Sequence, residues 1–143
     1  MERTSNKRGF SLIELLIVMA IVTTLTALVS VTASTIFKHS RETAALGHVR
    51  TLQNAQTQVH SVKRRFAASL KDLAVANLIP EHLAAGALGG YTFALTGAEE
   101  GFIVKACPER QGKSGDANYF TDESLVIRQN DQREADKESP PVK

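Results

Sequence analysis

Apolar positions change their rhythm along this chain. From Phe10 to Phe37 they are nearly continuous, and no charged residue lies between Glu14 and Lys38. A bilayer-spanning helix needs roughly 20 apolar residues, so this interval predicts a transmembrane helix. After Lys38 the apolar residues thin to a stripe. Leu46, Val49, Leu52, Val59, Val62 and Phe66 recur at helical spacings, with Arg41, Arg50, Gln53, Gln56 and Lys63 between them. This predicts an amphipathic continuation with one buried face. A continuous helix from Phe10 to Phe66 would be about 85 Å long, weakened locally at Gly47.

Beyond Phe66 the pattern shortens. Ser69-Leu70-Lys71-Asp72 reads as a capping box with Asp in the usual Glu or Gln position, opening a short helix to about Ala76. Pro80 to Gly90 reads as a loop. Four strand-like runs follow: Tyr91–Leu95, Gly101–Ala106, Asn118–Thr121 and Leu125–Arg128. Their short links predict an antiparallel meander whose apolar face covers the helix and buries Phe66, Phe93, Phe102 and Phe120. Pro108 to Ala117 reads as an exposed polar loop. Residues 129–143 mix both charge signs and end in Ser-Pro-Pro-Val-Lys, which predicts a disordered tail. The fold class is therefore α+β, a long N-terminal helix packed on a small antiparallel sheet. The expected divisions are 1–9, 10–37, 38–66, 67–128 and 129–143.

Charge and composition narrow the function. The 143 residues carry a formal net charge of +2. Removing Met1 to Gly9 would delete Arg3, Lys7, Arg8 and Glu2 and leave the remainder neutral, which argues against nucleic-acid binding by bulk charge. The single cysteine, Cys107, excludes an internal disulfide. It reads as a small buried hydrophobe or a thiol that pairs with another chain.

The apolar segment admits three readings. One is a plain transmembrane anchor. A second is a secretory signal with Arg3, Lys7 and Arg8 as its basic start and Val31-Thr32-Ala33 as a small-residue cleavage site. Its apolar region is too long for that and contains Glu14. In the third, Met1–Gly9 is removed and the helix kept. Cutting between Gly9 and Phe10 exposes a new amine, and four residues of helix rise by about 6 Å. Glu14 then has a cationic partner nearby, from its own chain or a neighbouring copy, and pairing offsets the cost of an isolated charge in an apolar setting. The bland alternative is a carboxylate tolerated at the membrane interface.

Lys-Arg-Gly followed by Phe-Ser-Leu-Ile-Glu-Leu-Leu-Ile-Val, within Lys7 to Val22, closely resembles the type IV pilin and pseudopilin signature. The resemblance implies that a prepilin peptidase cuts after Gly9 and methylates Phe10, and that Glu14 is the assembly glutamate. It implies a structural subunit rather than an enzyme. Its partners would be other copies or related pilins in a helical filament, the peptidase, an inner-membrane assembly platform and, before assembly, the bilayer. The chain would sit in the bacterial inner membrane with its head in the periplasm, then move to an extracellular pilus or periplasmic pseudopilus. Many family members carry a helix-weakening glycine and proline where this chain has Thr23 and Val31. It has instead Thr23, Thr24, Thr26, Ser30, Thr32, Ser34 and Thr35, whose hydroxyls can bond back to helix carbonyls. Thr26, Ser30 and Ser34 form a small-residue face suited to helix packing. Alternatives are a type II secretion pseudopilin, a minor or competence pilin and, from another class, a single-span anchored binding module.

No catalytic constellation or cofactor motif is evident. His39, His48, His60 and His82 lack metal-ligand spacing, and the first three read as surface residues. Lys105 and Arg110 are placed to lower the Cys107 pKa. Asp116, Asp122 and Glu123 can offer oxygens to calcium, yet their spacing is not a recognised calcium loop, and turn acids are the plainer reading. Lys63-Arg64-Arg65 reads as a solvated helix face rather than a DNA contact. Six Phe and two Tyr without Trp form no evident continuous aromatic stack.

Overall fold

The computed structural model describes residues 9–142, with the side chains of residues 29–33 outside that description. The expected leader up to Arg8, the Ser30 packing position and the Val31-Thr32-Ala33 cleavage site therefore lie outside the described residues or side chains. Two compact units are present, Met1–Ile36 and Phe37–Lys143. Helix α1 spans Leu12–Lys63 as 52 residues of α-helix. It runs unbroken through Thr23 and Val31, where no glycine or proline interrupts its backbone bonds.

In the first unit the helix is apolar and bare. Leu12, Ile13, Leu15, Leu16, Ile17, Val18, Met19, Ile21, Val22, Leu25 and Leu28 are all exposed. Among the described residues no helix is long and apolar enough to cross a membrane.

In the second unit α1 has a buried stripe of Ala45, Val49, Leu52, Ala55 and Val59. Alanines at two of these positions keep the face thin, so the sheet can approach closely. The helix ends at Lys63, earlier than the pattern predicts, because Arg64 adopts a left-handed conformation (φ 55°). Val62 consequently lies 78% exposed rather than in the core, and Phe66 is only half-buried. Gln56, which the pattern assigns to the polar face, is fully buried. Its Nε2 donates to the Ala67 carbonyl at 2.9 Å, and its Oε1 accepts from the Ala67 N–H at 2.8 Å. One side-chain amide thereby satisfies a whole buried peptide edge just after the helix ends.

The Ser69 box forms as predicted. Ser69 caps α2 (Leu70–Val75), with its hydroxyl accepting from the Asp72 N–H and the Asp72 carboxylate accepting from the Ser69 N–H. The region 80–90 holds more than a loop. It contains α3 (Glu81–Ala84), strand β1 (Ala87–Leu88) and a tight Gly89-Gly90 turn in which both glycines have positive φ. That combination of two φ > 0 residues is the one a two-residue hairpin of this hand requires.

The sheet is a five-stranded antiparallel meander in the order β1-β2-β3-β4-β5. β2 is Tyr91–Gly97, β3 Phe102–Pro108, β4 Asn118–Asp122 and β5 Arg128–Asn130. Alternation along the strands turns Tyr91, Phe93, Val104, Ala106 and Tyr119 into the core shared with Val49, Leu52, Leu73 and Leu83. Gly97 passes so close to the Ala67 carbonyl that any Cβ there would collide with it.

Two expectations at the C-terminal end are corrected. The last of the four expected strands, β5, begins at Arg128 rather than Leu125, because an Asp122–Ser124 turn comes first. The Asp122 carboxylate accepts from the Ser124 N–H at 3.0 Å, and Leu125 takes a left-handed conformation (φ 60°). The tail beyond Gln129 is folded rather than disordered. Gln129 N–H donates to Pro140 O and Val142 N–H to Ile127 O, both at 2.9 Å, while Arg128 pairs with Pro141 across an antiparallel bridge. Ala135 and Ser139 are buried. Lys105 on β3 bonds Glu134 at 3.0 Å, which draws the tail over the sheet face that also carries Phe120, the cross-strand partner of Lys105. Phe120 is buried as expected, but on this outer face and not against the helix.

Candidate processing and assembly site

Gly9 and Phe10 precede the helix in non-helical conformation. Open space surrounds the position a Cβ would take on Gly9, and Phe10 is 80% exposed. The bond between them is thus free of secondary structure and of packing among the described residues. Ser11 is the residue before the first helical one, Leu12. Its N–H donates to Glu14 Oε2 at 3.0 Å, and its carbonyl accepts from the Leu15 N–H at 3.2 Å. Glu14 therefore supplies the carboxylate half of a capping box: it reaches back one turn to a donor that the helix leaves unsatisfied. A negative side chain in the first turn also suits the helix dipole. The pattern Ser-x-x-Glu at residues 11–14 is the one that identifies Ser69–Asp72, and the same rule read at residue 11 finds it.

Further along, the hydroxyls do bond back to their own helix. Thr23 Oγ1 donates to the carbonyls of Met19 and Ala20, each at 2.9 Å. Thr24 reaches Ala20 and Ile21, and Thr26 reaches Val22 at 2.7 Å. These three hydroxyls thereby bond back within their own helix.

The other sequence candidates stay apart. Asp116, ahead of β4, pairs with Lys38 at 2.8 Å, whereas Asp122, at the end of β4, and Glu123 face Lys137 at 3.5 and 3.2 Å. Among the described residues no group of three or more His, Cys, Asp or Glu side chains is placed to hold a metal. His48 packs edge-on against Phe93 at 5.7 Å, and burial, then His82, lowers its pKa. His60 stacks on Phe66 at 4.4 Å. Both are half-buried ring contacts rather than free surface histidines, while His39 and His82 are exposed. Cys107 is half-buried, and burial followed by Glu134 pushes its pKa up, outweighing Lys105. The direction is opposite to the lowering that Lys105 and Arg110 could have produced, and it accords with a half-buried thiol beside a Lys105 that is paired with Glu134. Lys63, Arg64 and Arg65 are exposed. The loop 108–117 is exposed only at its front. Ser114 and Ala117 are buried, and the Asp116 N–H donates to Glu42 Oε1 at 2.7 Å.

Among the described residues, an unpacked Gly9–Phe10 bond and a glutamate one turn into α1 thus stand beside a run of exposed apolar side chains from Leu12 to Leu28. Residues 4–30 match the family model described as the prokaryotic N-terminal methylation motif, which is the signature of type IV pilins and pseudopilins. The match supports, at its coarsest, a type IV pilin-like or pseudopilin subunit, from a motif family that is structural rather than enzymatic. A search of curated protein sequences finds no significant match to the chain.

Proposed function

We propose that this chain is the precursor of a structural subunit of a type IV pilus or pilus-like filament. A prepilin peptidase cleaves between Gly9 and Phe10 and methylates the Phe10 amine. The apolar segment 10–37 holds the subunit in the inner membrane, with the head in the periplasm, until an assembly platform packs it with other copies. Glu14 then exchanges its Ser11 N–H for a Phe10 amine in the filament. The protein is the substrate of an enzyme and requires no cofactor.

The observation that carries this reading is the methylation motif at residues 4–30, whose described apolar side chains from Leu12 to Leu28 are exposed on α1. Bare apolar surface of that extent calls for lipid or other helices around it. The discriminating experiment is mass spectrometry of sheared surface filaments and of membranes. A methylated peptide beginning at Phe10 in the filaments makes this a surface pilin. The same peptide confined to membranes points to a pseudopilin or rare minor subunit. A chain found only with Met1–Gly9 attached overturns the proposal in favour of an anchored module. Glu14→Gln should leave cleavage intact and abolish assembly, and normal polymerisation of that variant would refute the pairing.

A further inference from the structure

Outside the N-terminus, and apart from the exposed run Lys63 to Arg65, cations without an ion pair among the described residues gather around one cavity. A cavity of about 540 Å³ is lined by Arg41, Gly89, Gly90, Glu109, Arg110, Lys113 and Ser114. Arg41, Arg110 and Lys113 are exposed, and none of them makes an ion pair among the described residues. The only carboxylate in the lining is Glu109, so three cations face one anion. Two acids close in sequence to the lining, Glu42 beside Arg41 and Asp116 after Ser114, are already engaged. Asp116 is held by Lys38, and Glu42 accepts from the Asp116 N–H.

The backbone builds this cavity on purpose-made geometry. Gly90 sits where a Cβ would press on Ser114 at 3.2 Å and approach Arg41 Cδ at 3.6 Å. The absence of a side chain lets the turn, the Arg41 stem and Ser114 close around one point. The Glu109 N–H is fixed to the Gly90 carbonyl at 2.9 Å, and the Lys113 and Ser114 N–H groups return to the Arg110 carbonyl at 3.0 and 2.9 Å. The loop that carries Arg110 and Lys113 is therefore pinned. The Ser114 hydroxyl has no hydrogen-bond partner among the described residues and adds a neutral donor to the wall.

We propose that this cavity binds a phosphate-type anion, with Arg41, Arg110 and Lys113 supplying the charge and Ser114 a hydrogen bond. Guanidinium groups match phosphate oxygens by geometry as well as charge. Arg41 lies four residues past Phe37, about 6 Å along α1 from the last residue of the apolar run. That is headgroup depth for a chain held in a bilayer, so an anionic phospholipid headgroup is one source of the phosphate and a free phosphate the other. The lipid source rests on the membrane reading above, and the site itself does not.

The test uses the full chain in neutral detergent, titrated separately with phosphatidylglycerol, phosphatidylcholine and inorganic phosphate and read by native mass spectrometry. Arg110→Glu/Lys113→Glu and the milder Arg41→Gln are run alongside. Expected is phosphatidylglycerol bound about tenfold more tightly than phosphatidylcholine, with that preference lost in the double variant and reduced in Arg41→Gln. Inorganic phosphate that binds and displaces phosphatidylglycerol assigns the site to a free anion. Equal binding by wild type and both variants, or no preference for either phosphate ligand, overturns the proposal. Flotation of the wild-type chain with phosphatidylcholine vesicles is scored separately. Failure there defeats the membrane reading and the lipid source, while the phosphate titration still decides the site.

Discussion

Gln56 offers the sharpest test of how the second unit holds together. Its side chain is fully buried and ties both the N–H and the carbonyl of Ala67, itself 7% exposed. Truncation in Gln56→Ala strands both groups. Each unsatisfied buried group costs about 1–3 kcal/mol, and the carbonyl keeps a second lone pair for partial compensation, so the expected loss is about 3 kcal/mol. Against a total stability of about 5–15 kcal/mol, that is a large fraction. Gln56→Glu adds a signature that a simple cavity cannot mimic. Its carboxylate can still accept from the Ala67 N–H, but when ionised it faces the Ala67 carbonyl without a proton to offer. Burial raises its folded pKa above the unfolded value near 4.3. The penalty is therefore smallest below that unfolded value, where the protonated acid can donate, and grows as pH rises through and above it. Urea denaturation of residues 37–143, followed by the near-ultraviolet circular dichroism of Tyr91 and Tyr119, measures both variants against wild type at pH 4 and pH 7. A Gln56→Ala loss under about 0.5 kcal/mol, or a Gln56→Glu penalty that is the same at both pH values, would refute the argument.

The remaining predictions concern glycine and acid. Gly47→Ala fills open space on a helix and should stabilise by about 0.5–1 kcal/mol, while Gly97→Ala forces a methyl into the Ala67 carbonyl and should cost about 2–3 kcal/mol; opposite shifts in the urea midpoint check the pair. Burial tends to raise the Asp122 pKa, but hydrogen bonds from Ser124 together with Lys137 outweigh it and hold the carboxyl below its usual range. The stability this contributes is present in full above about pH 4 and fades as pH falls through the lower folded pKa. Asp122→Asn should therefore be less stable than wild type at pH 7, with the gap closing in acid, as followed by thermal unfolding across pH 2–7.

Much of this was legible because local rules and global packing agree. The Ser69–Asp72 box, the alternation of Tyr91 to Leu95 and the nearly continuous apolar run after Phe10 each state their structure in consecutive residues. The misreadings share a physical cause. Ala45 and Ala55 are weakly hydrophobic, so a stripe drawn from large residues omits them, and it retains Val62 because nothing in the pattern reports that Arg64 will turn left-handed. Gln56 is polar by type and buried by virtue of a partner eleven residues away. The tail looks too charged to fold, but Ala135 is buried and Val142 packs against the core, held by backbone bonds to residues 127–129 that the sequence does not print. At the N-terminus, Glu14 reads from sequence as the partner of a nearby Phe10 amine, and its bond to the Ser11 N–H is a local cap.

The folded tail also changes what the sheet can do to its neighbours. An antiparallel sheet ends in rows of free donors and acceptors that invite another strand. Here one margin is β1, only two residues long. The other, β5, is occupied by the segment that bears Pro140 and Pro141, and a proline offers no N–H to a newcomer. Copies crowded side by side thus find no template for open-ended strand addition at this margin. Association of copies in the proposed filament would then have to use surfaces other than this margin, and a sheet closed off in this way leaves the apolar helix free to set its order.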